Sequence, residues 1–256
     1  MIKTYWVAFR TLIIKEILRF SRIWVQTILP PAITMALYFI IFGKLIGSQI
    51  GDIEGFRYID FIVPGLILMS VISNSYANTV SSFYFSRWNK HIDELLIAPI
   101  PNWLILAGYV AGGVARGVIV GVVVTIVASF FSDLSIHSYG ITFLVFVLTS
   151  VLFSLAGFIN GVFANSFDDI SIIPTFVLTP LTYLGGVFYS MSLLPDFWQT
   201  ASMVNPVLYM VNAFRYGLLG VSDINLGIAI TIILISIVVL TSYSYSLLNR
   251  GIGIKN

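Results

Sequence analysis

Residues 87–98 read RWNKHIDELLIA. On one side stands FIVPGLILMSVISNSYANTVSSFYF (61–85) and on the other NWLILAGYVAGGVARGVIVGVVVTIVASFF (102–131), both long and almost free of charge. The insert gathers five ionisable groups, Arg87, Lys90, His91, Asp93 and Glu94, in a chain that is otherwise poor in them. Its meaning depends on the solvent of the flanking stretches. Of the 256 residues, 58% are hydrophobic and 9% charged, and the mean hydropathy is +0.98. Soluble domains carry about 25% charged residues. Too few polar groups are present to cover a water-facing surface, so the solvent is lipid.

A membrane-spanning helix needs about 20 mainly apolar residues. Six segments qualify: 23–46, 61–85, 102–131, 139–164, 170–189 and 226–248. The expected fold is all-α and integral to the membrane, one domain over 1–256, with both termini on one side. Lys and Arg favour the cytoplasmic side. With the N-terminus inside, Lys3, Arg10, Lys15, Arg19, Arg22, Arg87, Lys90, Arg250 and Lys255 fall inside, and Lys44, Arg57 and Arg215 outside. That asymmetry predicts N-in, C-in. The first span is read as retained: its basic region is long, its apolar run exceeds a signal-peptide core, and no A-x-A-like site follows.

Residues 1–22 precede the first span. Trp6, Phe9, Ile13, Ile17, Phe20 and Trp24 recur at helical spacing, with Lys15, Glu16, Arg19 and Arg22 opposite, which predicts a helix lying in the membrane interface. It serves as an anchor alone or also docks a partner. Pro30-Pro31 predicts a break near the start of the first span. In the second span Ser70, Ser73, Asn74, Asn78 and Ser81 share a face, either interhelical glue or the wall of a wet cavity. Gly108, Gly112, Gly113, Gly117 and Gly121 in the third span predict close helix approach. Arg116 stands near the middle of that span, where a cation is costly and has a structural or a transport role. Residues 190–225 are too aromatic for a solvated loop, and Asn212 and Arg215 interrupt their longest apolar run. Short re-entrant or interfacial helices on the outer side are expected there.

Several chemistries lack their residues. No G-x-x-x-x-G-K-[ST] stretch offers a phosphate cradle. No cysteine is present, and His91 and His137 fall on opposite sides of the expected topology, which disfavours a metal site or a hydrolytic triad. The net charge of +2 is too small to suggest nucleic acid. No two-half repeat of the secondary-transporter kind is visible. From the residues alone three readings stand: a permease energised by another chain, a self-sufficient channel or secondary transporter, and, least supported, a membrane-embedded enzyme.

HIDELLIAPIP (91–101) resembles the segment between the second and third spans of ABC-2 transporter permeases, with Ile92-Asp93 where that family often has Gly-Thr. TPLTYLGGVFYSMSLLP (179–195) and NPVLYMVNAFRYG (205–217) resemble the family's fifth span and outer segment. The resemblance covers the chain and implies a half-size permease of the bacterial inner membrane. Two copies would form the pathway, and two copies of a separate ATPase, carrying ATP and Mg, would bind inside. The permease itself would hold no cofactor. Drugs, polysaccharides or lipid-linked glycans are the implied cargo.

The insert within 86–100 then reads as a coupling helix. Arg87, Lys90, His91 and Glu94 share one helical face, and Trp88, Ile92, Leu95 and Leu96 share the other. Twelve residues reach only about 18 Å as a helix, too short to cross a bilayer. The expected ATPase-coupling set is Arg87, Lys90, His91, Asp93, Glu94 and Leu95, with Lys15, Glu16 and Arg19 from the first helix. The expected pathway set is Asn74, Asn78, Phe176, Thr179 and Tyr183.

Overall fold

The computed structural model describes residues 2–253. Helix α1 spans Ile2–Ser21. The chain breaks at Arg22–Ile23, where Thr27 Oγ1 donates to Phe20 O at 2.9 Å. The first span is built in pieces: α2 (Trp24–Thr27), α3 (Leu29–Tyr38), a π-helical stretch Phe39–Ile46 and α4 (Gly47–Ile50). The expected break falls at Ile28, and the proline pair lies in the first turn of α3, where a missing N–H is least costly. A small hairpin follows, β1 (Asp52–Ile53) paired antiparallel with β2 (Phe56–Arg57). Its turn is Glu54-Gly55, both at positive φ (53° and 82°).

Helix α5 (Tyr58–Trp88) is the axis of the molecule, buried along most of its length. It is followed by α6 (His91–Ile97), α7 (Asn102–Ala128), α8 (Tyr139–Phe163), α9 (Asp169–Ile173), a π-helical stretch Pro174–Leu178, and α10 (Thr179–Tyr183). Then come α11 (Asp196–Ser202), α12 (Pro206–Leu219) and α13 (Leu226–Arg250). The start of α9 is written in the sequence as S-x-x-D. Ser166 Oγ accepts from Asp169 N at 3.1 Å, and the Asp169 carboxylate accepts from Asn165 N at 2.8 Å and Ser166 N at 3.1 Å. This is a capping box, and the Asn165 amide, then Ser166, hold the Asp169 carboxyl below its ordinary pKa.

Among the described residues, five helical segments are long and apolar enough to cross a membrane: Trp24–Gly43, Tyr58–Trp88, Asn102–Ala128, Tyr139–Phe163 and Leu226–Arg250. The expected fifth span, 170–189, is helical only from Asp169 to Tyr183. Those fifteen residues reach about 22 Å. Pro180 cannot donate a helical hydrogen bond. The preceding turn widens, and Thr179 Oγ1 bonds Pro174 O at 2.9 Å. The helix ends at Leu184, and Gly186 turns the chain at φ 74°. This segment is not one of those five. Near its start Tyr84 Oη donates to Asn165 O, and beyond its end Val187 packs on Gly65.

The loops thus collect at two ends. At the α6 end, Asn102 Nδ2 donates to Asn249 Oδ1 at 2.7 Å. At the hairpin end, Arg57 reaches Asp133 at 2.8 Å and His137 N bonds Leu218 O. The glycine stripe of α7 packs as expected. A Cβ on Gly108 would meet Leu12 at 2.9 Å and one on Gly112 would meet Glu16 at 2.6 Å. Gly113 faces Thr79 and Ser154, and Gly117 faces Ser75 and Ser150. In 190–225, α12 is buried against α5, α8 and α13. Outward, α13 presents Leu234, Ile235, Val238 and Val239.

Candidate functional site

The charged insert is not one helix. Helix α5 ends at Trp88, and Asn89–Lys90 turn the chain with Lys90 left-handed at φ 58°. Asn89 Nδ2 donates back to Phe85 O at 3.0 Å. Helix α6 then runs seven residues, until Pro99 and Pro101 stop it. Ile92 is buried at 2% exposure, with Leu95 and Leu96 half-buried beside Ile105, Leu106, Tyr109, Leu247 and Leu248. Lys90, His91, Asp93 and Glu94 are exposed. The result is a short stiff helix, apolar on the side against that cluster and charged on the side away.

Arg87 does not belong to that charged face. Its Nη1 donates to Gly161 O, Val162 O and Ala164 O at 2.8, 2.7 and 3.0 Å. It closes the end of α8, whose last carbonyls have no helical partner. Trp88 is also displaced from its expected face. It stands 61% exposed and packs on Phe167, ring centroids 5.6 Å apart, because the turn at Asn89 breaks the helical register.

Helix α1 forms, but it does not present the expected polar face. Glu16 is 1% exposed. Its Oε1 accepts from Ser82 Oγ at 2.6 Å and its Oε2 lies 3.5 Å from Arg19 Nε. Arg19 Nη2 donates to Asn78 O and Oδ1, each at 2.8 Å. Gly108 and Gly112 admit α1 onto α7 along Leu12, Glu16 and Phe20, so the carboxylate is enclosed. Glu16 therefore faces the helix contact, while Arg19 keeps 28% exposure. Lys15 stays exposed, its Nζ 5.6 Å from the centroid of the Tyr109 ring.

The expected pathway residues divide. Asn74 and Asn78 are buried and act as acceptors, Asn74 Oδ1 for Arg116 Nη2 at 3.1 Å and Asn78 for Arg19. At these two positions the polar face of α5 makes interhelical hydrogen bonds. Phe176, Thr179 and Tyr183 lie on the exposed side of the π-helical stretch and α10. Tyr183 Oη sits 3.1 Å from Tyr38 Oη, and its ring stacks on Phe188 at 5.5 Å. Arg116 stands near the middle of α7, as expected, beside Asn74 near the middle of α5. Its second partner is Thr27 O at 3.5 Å, in the first turn of the Trp24–Gly43 span.

A polar cluster at the hairpin end was visible in the sequence only as an interruption. Arg215 is 1% exposed. Its Nη2 donates to Gly186 O at 2.5 Å, and its guanidinium lies 3.9 Å from the Phe61 centroid. Asp223 Oδ2 stands 3.9 Å away. Ser190 donates to Asp223 Oδ1 at 2.6 Å and lies 2.8 Å from Glu54 Oε1. Of the two residues that break the apolar run, Arg215 ties α12 to the segment after α10, and Asn212 Oδ1 accepts from Asp223 N at 2.9 Å in the loop after α12.

The family model for ABC-2 type transporters matches residues 7–219. The chain is 57% identical to the inner membrane transport permease YadH of Escherichia coli strain K12, over all of both chains. It is also 22% identical to nodulation protein J of Rhizobium meliloti strain 1021, over 92% of this chain and 90% of that one. A similar likeness, 22% identity over 84% of this chain and 83% of the other, holds for nodulation protein J of Rhizobium leguminosarum bv. viciae.

Proposed function

The chain belongs to the ABC-2 type transporter family, a multi-pass protein of the inner membrane, and from that membership we infer that it is the permease half of an ATP-driven exporter. Two copies enclose the pathway. A separate ATPase binds ATP and Mg and docks at the cytoplasmic face, which is the α6 end, while this chain holds no cofactor of its own. The observation that carries the reading is α6. It lies against the end of α5, Ile92 belongs to the apolar cluster that holds Phe83, Ile105, Phe158 and Leu247, and Lys90, His91, Asp93 and Glu94 remain exposed. A push on that charged side would pass into the ends of the spans that build this cluster.

The surface for the twin copy is the exposed flank of the first span with the π-helical stretch and α10. It carries Ile33, Leu37, Ile41, Phe176, Val177 and Tyr183. Aromatic rings with Thr179 suit an amphipathic cargo.

Reversing both charges, Lys90→Glu with Glu94→Lys, is expected to lower capture of the ATPase by tagged permease while permease yield stays at the wild-type level. Close charge pairs at interfaces couple by about 1.5–7 kcal/mol. Leu95→Asp is expected to lower the yield itself. Unchanged capture together with unchanged transport-stimulated hydrolysis in the double reversal would overturn the coupling role.

A further inference from the structure

Charge does not balance where α1, α5 and α7 meet. Two guanidiniums, Arg19 and Arg116, share the contact with one carboxylate, Glu16. Glu16 Oε1 accepts from Ser82 Oγ at 2.6 Å, while its Oε2 lies 3.5 Å from Arg19 Nε in an ion pair that makes no hydrogen bond. Arg116 has only neutral partners, Asn74 Oδ1 at 3.1 Å and Thr27 O at 3.5 Å. Its Nε is buried with no hydrogen-bond partner, and so is Asn78 Nδ2. The Asn78 amide cannot simply be turned over, since its Oδ1 takes the Arg19 bond at 2.8 Å.

Asn74 and Asn78 stand one turn apart on α5, about 5–6 Å between Cβ atoms. Arg19 and Arg116 thus bond to side chains one turn apart on α5. Asn78 itself is buried, but the rim beside it is not closed: Arg19 is 28% exposed, Ser73 is exposed, and Ala77 and Ser81 are half-buried. A water could accept from the spare N–H groups, but it would leave the charge uncompensated. An oxyanion with several acceptor oxygens answers both needs, and guanidinium geometry favours phosphate. Arg116 and Asn74 stand near the midpoints of α7 and α5, so the phosphate would sit deep along the span, next to Thr27. Trp24, Val25 and Leu29 beside it are exposed and apolar, as an attached alkyl chain requires.

We propose that Arg116, Arg19 and the Asn78 amide form a binding site for the phosphate of an amphiphile, entered from the open side of α5. It deepens the permease reading and rests on it for the identity of that side as the pathway. Phosphate-bearing amphiphiles are then the substrate class, and neutral or cationic ones are not.

The test uses the full-length permease in dodecyl maltoside micelles, free of phospholipid, without ATPase. Three hexadecyl probes carry the same headgroup-proximal diazirine: an alkyl phosphate, an alkyl trimethylammonium and an alkyl glucoside. The alkyl phosphate is expected to label peptides containing Arg19, Asn78 and Arg116 at least about tenfold above the other two. Arg116→Gln abolishes that preference and Arg116→Lys keeps part of it. Asn78→Asp preserves size and the Arg19 acceptor but turns the free donor into a negative oxygen. It also abolishes the preference, with thermal stability retained. Equal labelling by all three probes, or a preference unchanged in both Arg116→Gln and Asn78→Asp, overturns the site. Complete displacement by excess inorganic phosphate assigns the patch to the free ion and overturns the amphiphile. ATPase capture through α6 is measured separately. If capture fails while phosphate-selective labelling holds, the permease reading fails and the site stands; the converse removes the site alone.

Discussion

Arg87 shows how one side chain can look like part of a docking face and belong to the frame. Its guanidinium takes the carbonyls of Gly161, Val162 and Ala164, at the negative end of the α8 dipole. Hydrogen bonds to a charged group contribute about 1.5–3 kcal/mol. Arg87→Ala is therefore expected to lower stability by about 2 kcal/mol, read as a reduced unfolding midpoint in detergent. The fraction that folds should capture the ATPase as wild type does. Lost capture at unchanged stability would return Arg87 to the docking face. The same distinction applies to Glu16, whose enclosed carboxylate holds Arg19 and Ser82 in place.

At the scale of the element, α1 and α7 form one unit. Gly112 is the residue that allows it, since a Cβ there would come within 2.6 Å of the Glu16 Cβ. Overpacking of this kind costs about 1–3 kcal/mol. Gly112→Val is expected to lower the thermal midpoint, and Gly140→Val, in α8 with nothing within 4 Å of its Cβ, is expected to leave it near the wild-type value. Equal effects would mean that α1 does not bear on α7 in the membrane. Helix α6 is stiff for a related reason: it is short, it ends at prolines, and Ile92 pins it to the apolar cluster of Phe83, Ile105, Phe158 and Leu247.

For the whole molecule, sidedness and pairing are read together by single cysteines, because the chain has no native thiol. Cysteines replacing Lys3 or Lys90 should resist an impermeant outer reagent in intact cells. Those replacing Asp52, His137 or Asp196 should react. Lys255, which the same charge asymmetry places inside, lies outside the described residues. A cysteine at 176 or 183 should cross-link two copies. Labelling at 90 from outside would overturn the N-in orientation, and cross-links confined to the exposed face of α13 would move the seam.

Composition and the spacing of apolar runs determined the all-helical membrane fold, because lipid offers no hydrogen bonds and admits only long helices whose backbone is satisfied internally. The boundaries of α5, α7, α8 and α13 were legible for that reason, as was the close approach along the α7 glycines. The apolar anchor of α6 through Ile92, Leu95 and Leu96 followed from helical spacing. Tertiary structure alone decided where the polar groups point. Helical periodicity puts Glu16, Arg19 and Arg87 on polar faces, but it carries no information on whether water or another helix occupies them. Asn78 and Ser82 take up the first two and the carbonyls ending α8 take the third. The same holds for Arg116 and Arg215, whose partners lie on other helices and in loops distant along the chain. A buried charge is satisfied by geometry in three dimensions, which no local spacing encodes.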